Sequence, residues 1–345
     1  MLYRNLLFPL IGSLDPERAH HLAADALAFA ERHAATRALL SAIAGRIPSR
    51  PVTVCGMRFP NVLGVAGGFD KDARIAGGLA RLGFGHVEVG TLTPRPQQGN
   101  PRPRIFRLPQ HGAIINRMGF PNCGVEAALP RIRALAKRRD FVLGVSLGKQ
   151  KETPLESAAQ DYIAVMRRVH EYAGYLAVNI SSPNTPGLRE LQGKRYLATM
   201  LAALVRENRT LNDRRPNRPC PLFVKIAPDL SATELDDILE SVIEAGAHGI
   251  IATNTTLSRR GVESAAHAEE SGGLSGAPLR RRSTRLIARI HRLTGGSLPI
   301  IGVGGVSNAR DAQEKLDAGA PLVQIYTGLI YEGPGVAGRI LRGLS

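Results

Sequence analysis

Short apolar runs alternate with longer amphipathic stretches along most of the 345-residue chain. The runs fall at 62–65, 86–89, 141–147, 175–180, 222–226, 249–253, 299–303 and 322–326, each of strand length. Between them, residues 73–82, 155–172, 195–209, 232–245, 279–293 and 309–318 repeat apolar positions at helical spacing. Eight such runs alternating with helices predict an α/β fold with a parallel sheet, and the number points to a (β/α)8 TIM barrel. A doubly wound sheet is the runner-up, but it wants Gly-x-Gly-x-x-Gly after its first strand. Gly302-Val303-Gly304-Gly305 lacks the third glycine and comes late in the chain, so it is not such a fingerprint.

Ahead of this alternation, Asp15-Pro16-Glu17 reads as a helix start, with Asp15 as N-cap and Pro16 at the first helical position. Ala19, Leu22, Ala23, Ala26, Leu27 and Ala30 then recur at helical spacing, and a second short helix is expected over 36–44. Ile47-Pro48-Ser49-Arg50-Pro51 is a linker, followed by an expected small hairpin at 52–59 under the barrel. Residues 1–46 thus form an N-terminal helical extension and residues 47–345 the barrel domain. The extension reads either as a cap packed on the barrel or as a helix pair resting on a membrane surface.

A barrel presents its chemistry at the C-terminal ends of its strands, and the residues after each run are polar or glycine-rich. In order they are Ala66-Gly67-Gly68-Phe69-Asp70-Lys71, Gly90-Thr91, Ser146-Leu147-Gly148-Lys149, Asn179 to Arg189, Lys225, Thr253-Asn254-Thr255-Thr256, Gly304-Gly305 and Tyr326-Thr327-Gly328. Pro183 and Pro186 stiffen the fourth of these, although an ordinary turn would use the same residue types. The glycines of the last two ends, with 272–276, suggest a phosphate site. Lys71 and Lys225 stand at or beside buried strands, where a lysine needs a negative charge. With Asn116, Asn179, Asn184 and Asn254 they would grip a small planar anion. No Asp/Glu pair sits at these ends, which argues against glycosidase chemistry. No histidine does either, which argues against a triad or a metal hydrolase. The available proton acceptor is Ser182, a base that would need a closed, dry site.

Charge widens the choice of partner. The chain carries 45 Lys+Arg against 29 Asp+Glu, a net +16, and favours anionic partners. Local basic clusters lie at 102–107, Lys137-Arg138-Arg139 and Arg280-Arg281-Arg282, but no basic arm joins an aromatic-rich face, so nucleic acid is not expected. Cys55, Cys123 and Cys220 are far apart and form neither a metal-ligand cluster nor a disulfide framework, which fits a reducing compartment. No run has the length needed to span a bilayer.

Several longer stretches together carry a family resemblance: Asp15-Pro16-Glu17-Arg18-Ala19-His20, Gly68-Phe69-Asp70-Lys71, Gly90-Thr91-Leu92-Thr93-Pro94-Arg95-Pro96-Gln97 and Asn116-Arg117-Met118-Gly119-Phe120. The loop from Asn179 to Arg189, Val224-Lys225-Ile226-Ala227-Pro228-Asp229-Leu230, Ala252-Thr253-Asn254-Thr255-Thr256 and Ile301-Gly302-Val303-Gly304-Gly305 complete them. In this order the chain resembles the quinone-dependent (class 2) dihydroorotate dehydrogenases. The resemblance implies oxidation of dihydroorotate to orotate by bound FMN in pyrimidine biosynthesis, with a membrane quinone as acceptor. It implies Ser182 as catalytic base and Lys71, Asn116, Asn179, Asn184, Asn254 and Thr255 on the substrate, with backbone help from Arg117, Met118, Gly119 and Phe120. FMN would lie against Gly67, Gly68, Phe69, Asp70, Lys71, Thr91, Asn179, Lys225 and Thr253, with its phosphate on Gly276, Gly305, Tyr326 and Thr327. Ser146 stands where the family usually has an asparagine that contacts flavin. His20, Arg107 and Tyr326 would line the quinone path, although a helix-surface position is the plainer reading of His20. Relatives of the soluble class carry cysteine at Ser182 and lack the N-terminal helices. The resemblance further implies attachment to an anionic membrane surface, at the cytoplasmic face of a bacterial cell membrane. A flavin-dependent barrel acting on RNA is the rival reading that the +16 charge sustains.

Overall fold

The structure is a computed structural model that describes residue 3 and residues 7–185 and 187–345, with the backbone alone for residues 10 and 195. Pro186, one of the two prolines expected to stiffen its loop, lies outside the described residues. Thirteen strands are formed among the described residues. A hairpin, β1 (Val52–Val54) and β2 (Met57–Phe59), comes first. Eight parallel strands then close into a barrel: β3 (Leu63–Asp70), β4 (His86–Leu92), β7 (Val142–Leu147), β8 (Tyr175–Asn179), β9 (Leu222–Ile226), β10 (Gly249–Ala252), β12 (Ile300–Val303) and β13 (Leu322–Ile325). They follow chain order around the ring, and β13 pairs with β3 to shut it. These are the eight runs expected from the apolar pattern, within a few residues at each end.

The strands read as near-continuous apolar runs because both their faces are covered. Inside the ring, Tyr175, Phe223, Ile251, Ile301 and Leu322 pack together, and Val54 and Phe59 of the hairpin plug the bottom. Outside, helices α4 (Ala76–Arg81), α5 (Val125–Ala136), α6 (Ala158–Val169), α7 (Lys194–Asp213), α8 (Ala232–Ala245), α9 (Arg280–Leu293) and α10 (Ala309–Asp317) cover the sheet. Two shorter ones, α11 (Thr327–Glu332) and α12 (Val336–Arg342), end the chain. Local chemistry sets their starts. Ser231 and Glu234 form a reciprocal capping box at α8, with Ser231 Oγ accepting from the Glu234 N–H and Glu234 Oε2 from the Ser231 N–H.

Three strands escaped the apolar pattern: β5 (Ile105–Leu108), β6 (Ala113–Asn116) and β11 (Gly273–Gly276) pair antiparallel as a small sheet on the barrel's rim. Helices α1 (Phe8–Gly12), α2 (Pro16–Arg32) and α3 (Ala34–Ala44) precede the barrel. Asp15 Oδ1 caps α2 by accepting from the Glu17 and Arg18 N–H groups. Helix α2 lies against β5 and α4, while α3 lies against α4 and α12. Ala24 and Leu40 belong to the same core as the barrel's helical layer, so the extension has no separate core. Glu17 anchors it with a buried ion pair to Arg104 at 2.6 Å.

Candidate active site

The C-terminal ends of the barrel strands open into one cavity of about 990 Å3, its mouth included. Gly67 and Gly68 of β3, Thr91 of β4, Asn179 of β8 and Lys225 of β9 line it, with Thr253, Asn254 and Thr255 following β10. Gly305, after β12, and Tyr326 and Thr327, after β13, complete the wall between β10 and β3. The rim sheet brings Gly276 and Asn116, and the turn after β6 brings Met118, Gly119 and Phe120. At Gly305 (φ +73°) an added Cβ would meet the Arg280 Cα at 2.6 Å, so the tight approach of this turn to α9 requires glycine.

A chain of polar side chains crosses the strand ends. Thr91 Oγ1 shares a 2.9 Å hydrogen bond with Ser146 Oγ and accepts one of 3.0 Å from Asn179 Nδ2. Asn254 Nδ2 donates to Asn179 Oδ1 at 3.3 Å and to Ser181 Oγ at 3.0 Å. Asn184 Nδ2 donates to Asn116 Oδ1 at 3.1 Å, which ties the loop after β8 to the rim sheet. The amide edges are thereby fixed in orientation before any ligand arrives.

Ser182 is buried on the cavity wall, and its Oγ accepts the Asn184 N–H at 3.2 Å. That places a hydroxyl with a free lone pair on the wall of a concave space that Asn116, Asn179, Asn184 and Asn254 also line. Arg189, further along the same loop, donates to the Ser181 carbonyl and to the Thr255 carbonyl. Burial pulls the Lys71 ammonium below the usual lysine range, with Glu17 partly offsetting it. Lys225 finds its anion inside the barrel: the Glu88 carboxylate, fully buried on β4, lies 3.7 Å away.

Four expected site residues keep their side chains out of this wall. Asp70 turns into the protein and accepts the Arg74 and Ile75 N–H groups. Ser146 is covered by Thr91, its hydrogen-bond partner, so its shorter side chain stops one residue short of the cavity. Arg117 points away to Glu270, at 2.6 Å, and stacks over Phe106. Phe69 faces a second cavity. Sequence reasoning passed over Glu88 and Gln324, and took Ser275 only as part of the 272–276 stretch. Gln324 and Ser275 line the cavity, while Glu88 lies beneath its floor.

That second cavity is apolar and lies between α1–α3 and the barrel. His20, Arg107 and Tyr326 all border it, and Lys71, Asn116 and Tyr326 border both spaces. Rings connect the two. His20 stands edge-on to Phe69 at 5.4 Å, and Phe69 edge-on to Tyr326 at 5.4 Å. His20 is therefore not a helix-surface histidine. Burial, with the Lys71 charge beside it, takes its pKa down to about 3, so the ring is neutral at ordinary pH. Arg107 donates to the Gly12 and Leu14 carbonyls and so ties the end of α1 to the rim sheet.

Residues of all three basic clusters are paired with acidic side chains. Arg102 and Arg104 pair with Glu17, Arg138 with Glu31 and Asp140, Arg280 with Asp311, and Arg282 with Asp229. Among the described residues no helix is long and apolar enough to cross a membrane, and no group of acidic, histidine and cysteine side chains could hold a metal ion.

Comparison with known proteins places this geometry. The family model described as "Dihydroorotate dehydrogenase" matches residues 50–345. The dihydroorotate dehydrogenase (quinone) of Anaeromyxobacter dehalogenans is 52% identical over 99% of this chain and 92% of its own length. Its counterpart from Nitrosospira multiformis is 48% identical over 100% of this chain and 96% of its own. Among solved structures, the DHODH of Eimeria tenella in complex with ferulenol superposes with a TM-score of 0.84 at 38% identity, covering 95% of this chain and 90% of that one. These findings set aside the RNA-acting rival. The chain belongs to the quinone-dependent (class 2) dihydroorotate dehydrogenases and has the dihydroorotate dehydrogenase (quinone) activity of pyrimidine biosynthesis.

Proposed function

We propose that dihydroorotate is oxidised at Ser182, in the cavity at the strand ends, with FMN as the resident electron carrier and the apolar cavity under α1–α3 as the quinone's place. The observation that carries this reading is the setting of Ser182. Its hydroxyl is buried, stands among Asn116, Asn179, Asn184 and Asn254, and faces a wall that holds no histidine.

The residues present fit FMN, the group used by the quinone-dependent class. Gln324 Oε1 is buried on the wall without a hydrogen-bond partner among the described residues, as an acceptor meant for a bound N–H group would be, and so is Asn184 Oδ1 on the substrate's side. Gly67, Gly68, Thr91, Asn179, Lys225 and Thr253 would hold the ring, and Gly276, Gly305, Tyr326 and Thr327 the phosphate. When bound, FMN supplies a two-electron acceptor for the hydride that leaves dihydroorotate C6.

The chain's own residues do the rest. Lys71, Asn254 and Thr255 orient the substrate, and Asn116, Asn179 and Asn184 fix its amide edges. Ser182 Oγ takes the proton from C5 as its own hydroxyl proton passes on to water at the cavity mouth. In bulk water a serine is a poor base, so the closed wall and fixed dipoles must supply the difference. Lys225 places positive charge where negative charge develops. Ser146 acts through Thr91, by holding the Thr91 hydroxyl in place.

The exposed faces of α2 and α3 support contact with a membrane on its cytoplasmic side. Leu22, Phe29 and Leu39 are 53%, 58% and 59% exposed there, on the same helices whose other residues, such as Ala23, Leu27 and Leu40, line the apolar cavity. An apolar helix face of this kind, on a basic protein, suits an anionic bilayer surface and gives a lipid-dissolved quinone a short route inward. An absorption spectrum of the purified protein tests the reading. A flavin band should be present and should bleach when dihydroorotate is added without air. Protein that carries no flavin, or a band that dihydroorotate leaves intact, would contradict it.

A further inference from the structure

Beneath the cavity floor, one oxygen of the buried Glu88 carboxylate is held without any help from lysine. Oε2 accepts hydrogen bonds from Tyr175 Oη at 3.3 Å and from Gln324 Nε2 at 3.0 Å. Gln324 Nε2 also donates to Tyr175 Oη at 3.0 Å, so β4, β8 and β13 together fix the group. The other oxygen, Oε1, makes no hydrogen bond among the described residues and faces the Lys225 ammonium at 3.7 Å. It also lies directly under the cavity wall: a Cβ added to Gly67 would meet it at 2.3 Å. Glycine at 67 therefore makes room for a carboxylate just behind the surface that a ligand touches. A buried ion pair is no asset to stability when apolar side chains of similar volume could fill the space. Its position, one residue deep beneath the cavity, indicates another use.

We propose that Glu88 is a positioning residue for the reaction. Held by Tyr175 and Gln324, it keeps the Lys225 ammonium at the cavity floor and offsets its charge, and so sets how readily the bound flavin gains and gives up electrons. The inference rests on the reading that FMN occupies this cavity. Gaining electrons adds negative charge to the flavin, which Lys225 favours and Glu88, slightly further off, opposes. A carrier must be reduced by one partner and oxidised by the next. A lone buried lysine would favour the first step at the expense of the second, whereas the pair balances them.

The test compares flavin-loaded wild type, Glu88→Gln, Lys225→Met and the double variant by anaerobic reductive titration against a reference dye. Glu88→Gln keeps the side chain's shape and should shift the equilibrium at least tenfold toward the reduced flavin, about 30 mV upward for a two-electron couple. Lys225→Met should move it in the opposite direction, and the double variant should lie above Lys225→Met. If Glu88→Gln does not fold, that last comparison still reads the field of Glu88, because the carboxylate that Lys225→Met leaves without its lysine keeps the hydrogen bonds from Tyr175 and Gln324. A purely structural role would give no such opposition of sign. An unchanged or lowered potential in Glu88→Gln, or a double variant equal to Lys225→Met, would overturn the inference and leave the functional reading standing. A wild-type chain that retains no FMN would overturn both.

Discussion

The Arg189 guanidinium donates through Nε to the carbonyl of Ser181 at 3.1 Å, immediately before Ser182. Its other nitrogens reach Asp229 Oδ2 at 3.1 Å and the Thr255 carbonyl at 2.9 Å. One side chain therefore joins the loops after β8, β9 and β10, and the planar fork of arginine is what lets it serve three acceptors. Replacing it with alanine should loosen the Ser182 loop and slow flavin reduction by dihydroorotate roughly 10- to 100-fold, the worth of one or two charge-assisted hydrogen bonds. Reoxidation by quinone should stay at its wild-type rate. Stopped-flow measurement of the two half-reactions checks this, and equal slowing of both would mean that Arg189 acts on the whole fold.

Glu17 and Arg104 form the ion pair that pins α2, with side chains 9% and 6% exposed. Removing one partner strands the other charge in a buried place, at a cost of about 3–5 kcal/mol. Glu17→Ala should therefore unfold at markedly lower urea than wild type. A stability loss under about 1 kcal/mol would show that Arg104 finds another partner or water.

Helices α1–α3 are at once part of the barrel's core and the wall of the apolar cavity, so deleting residues 1–46 would remove both roles together. Changing the outward residues separates them. Leu22, Phe29 and Leu39 are more than half exposed, so replacing all three with serine should leave stability and flavin bleaching unchanged. Binding to anionic vesicles and turnover with a long-tailed quinone should both fall sharply. Co-sedimentation and a quinone assay decide, and retention of both would rule out this face as the membrane contact.

His86 lies inside the barrel with no exposure, and neither ring nitrogen has a hydrogen-bond partner among the described residues. Burial takes its pKa down to about 3, against about 6.5 in the unfolded chain. The sign follows: the folded state refuses a proton that the unfolded state accepts. Stability is complete above about pH 6.5 and is lost as pH falls toward 3, by about 1.4 kcal/mol per unit. His86→Leu should therefore flatten the decline between pH 6.5 and 5 by about 2 kcal/mol, whatever its effect at neutral pH. Urea unfolding at several pH values measures this, and an unchanged slope would mean that His86 can take up a proton in place.

The barrel was legible because its strands are covered on both faces and so read as plain apolar runs, as 222–226 does. The rim sheet was not. Strands β5 and β6 are four residues each, set among prolines and arginines, and β11 is half glycine. Helix α5 was missed as well, for it carries Pro130 in its interior, where a proline normally argues against a helix. At the site, residues at strand ends were readable because barrels place chemistry there, and Ser182, Asn179 and Asn254 do meet in one cavity. Glu88 was not, since it lies four residues before the end of β4 and breaks an apolar run as any tolerated polar residue might. What distinguishes it is the inward turn of β4 toward Lys225, a relationship between distant strands that no local pattern carries.

The central claim is that Ser182 takes the C5 proton while the hydride leaves C6. Anaerobic mixing of flavin-loaded protein with dihydroorotate, followed in the flavin band, tests it most directly in wild type and Ser182→Ala. The variant should keep its FMN and its fold, because among the described residues the Ser182 side chain accepts only the Asn184 N–H, at 3.2 Å. Its flavin should be reduced roughly 10²–10⁴-fold more slowly, the usual range for loss of a general base. Reduction of Ser182→Ala at the wild-type rate would contradict the account.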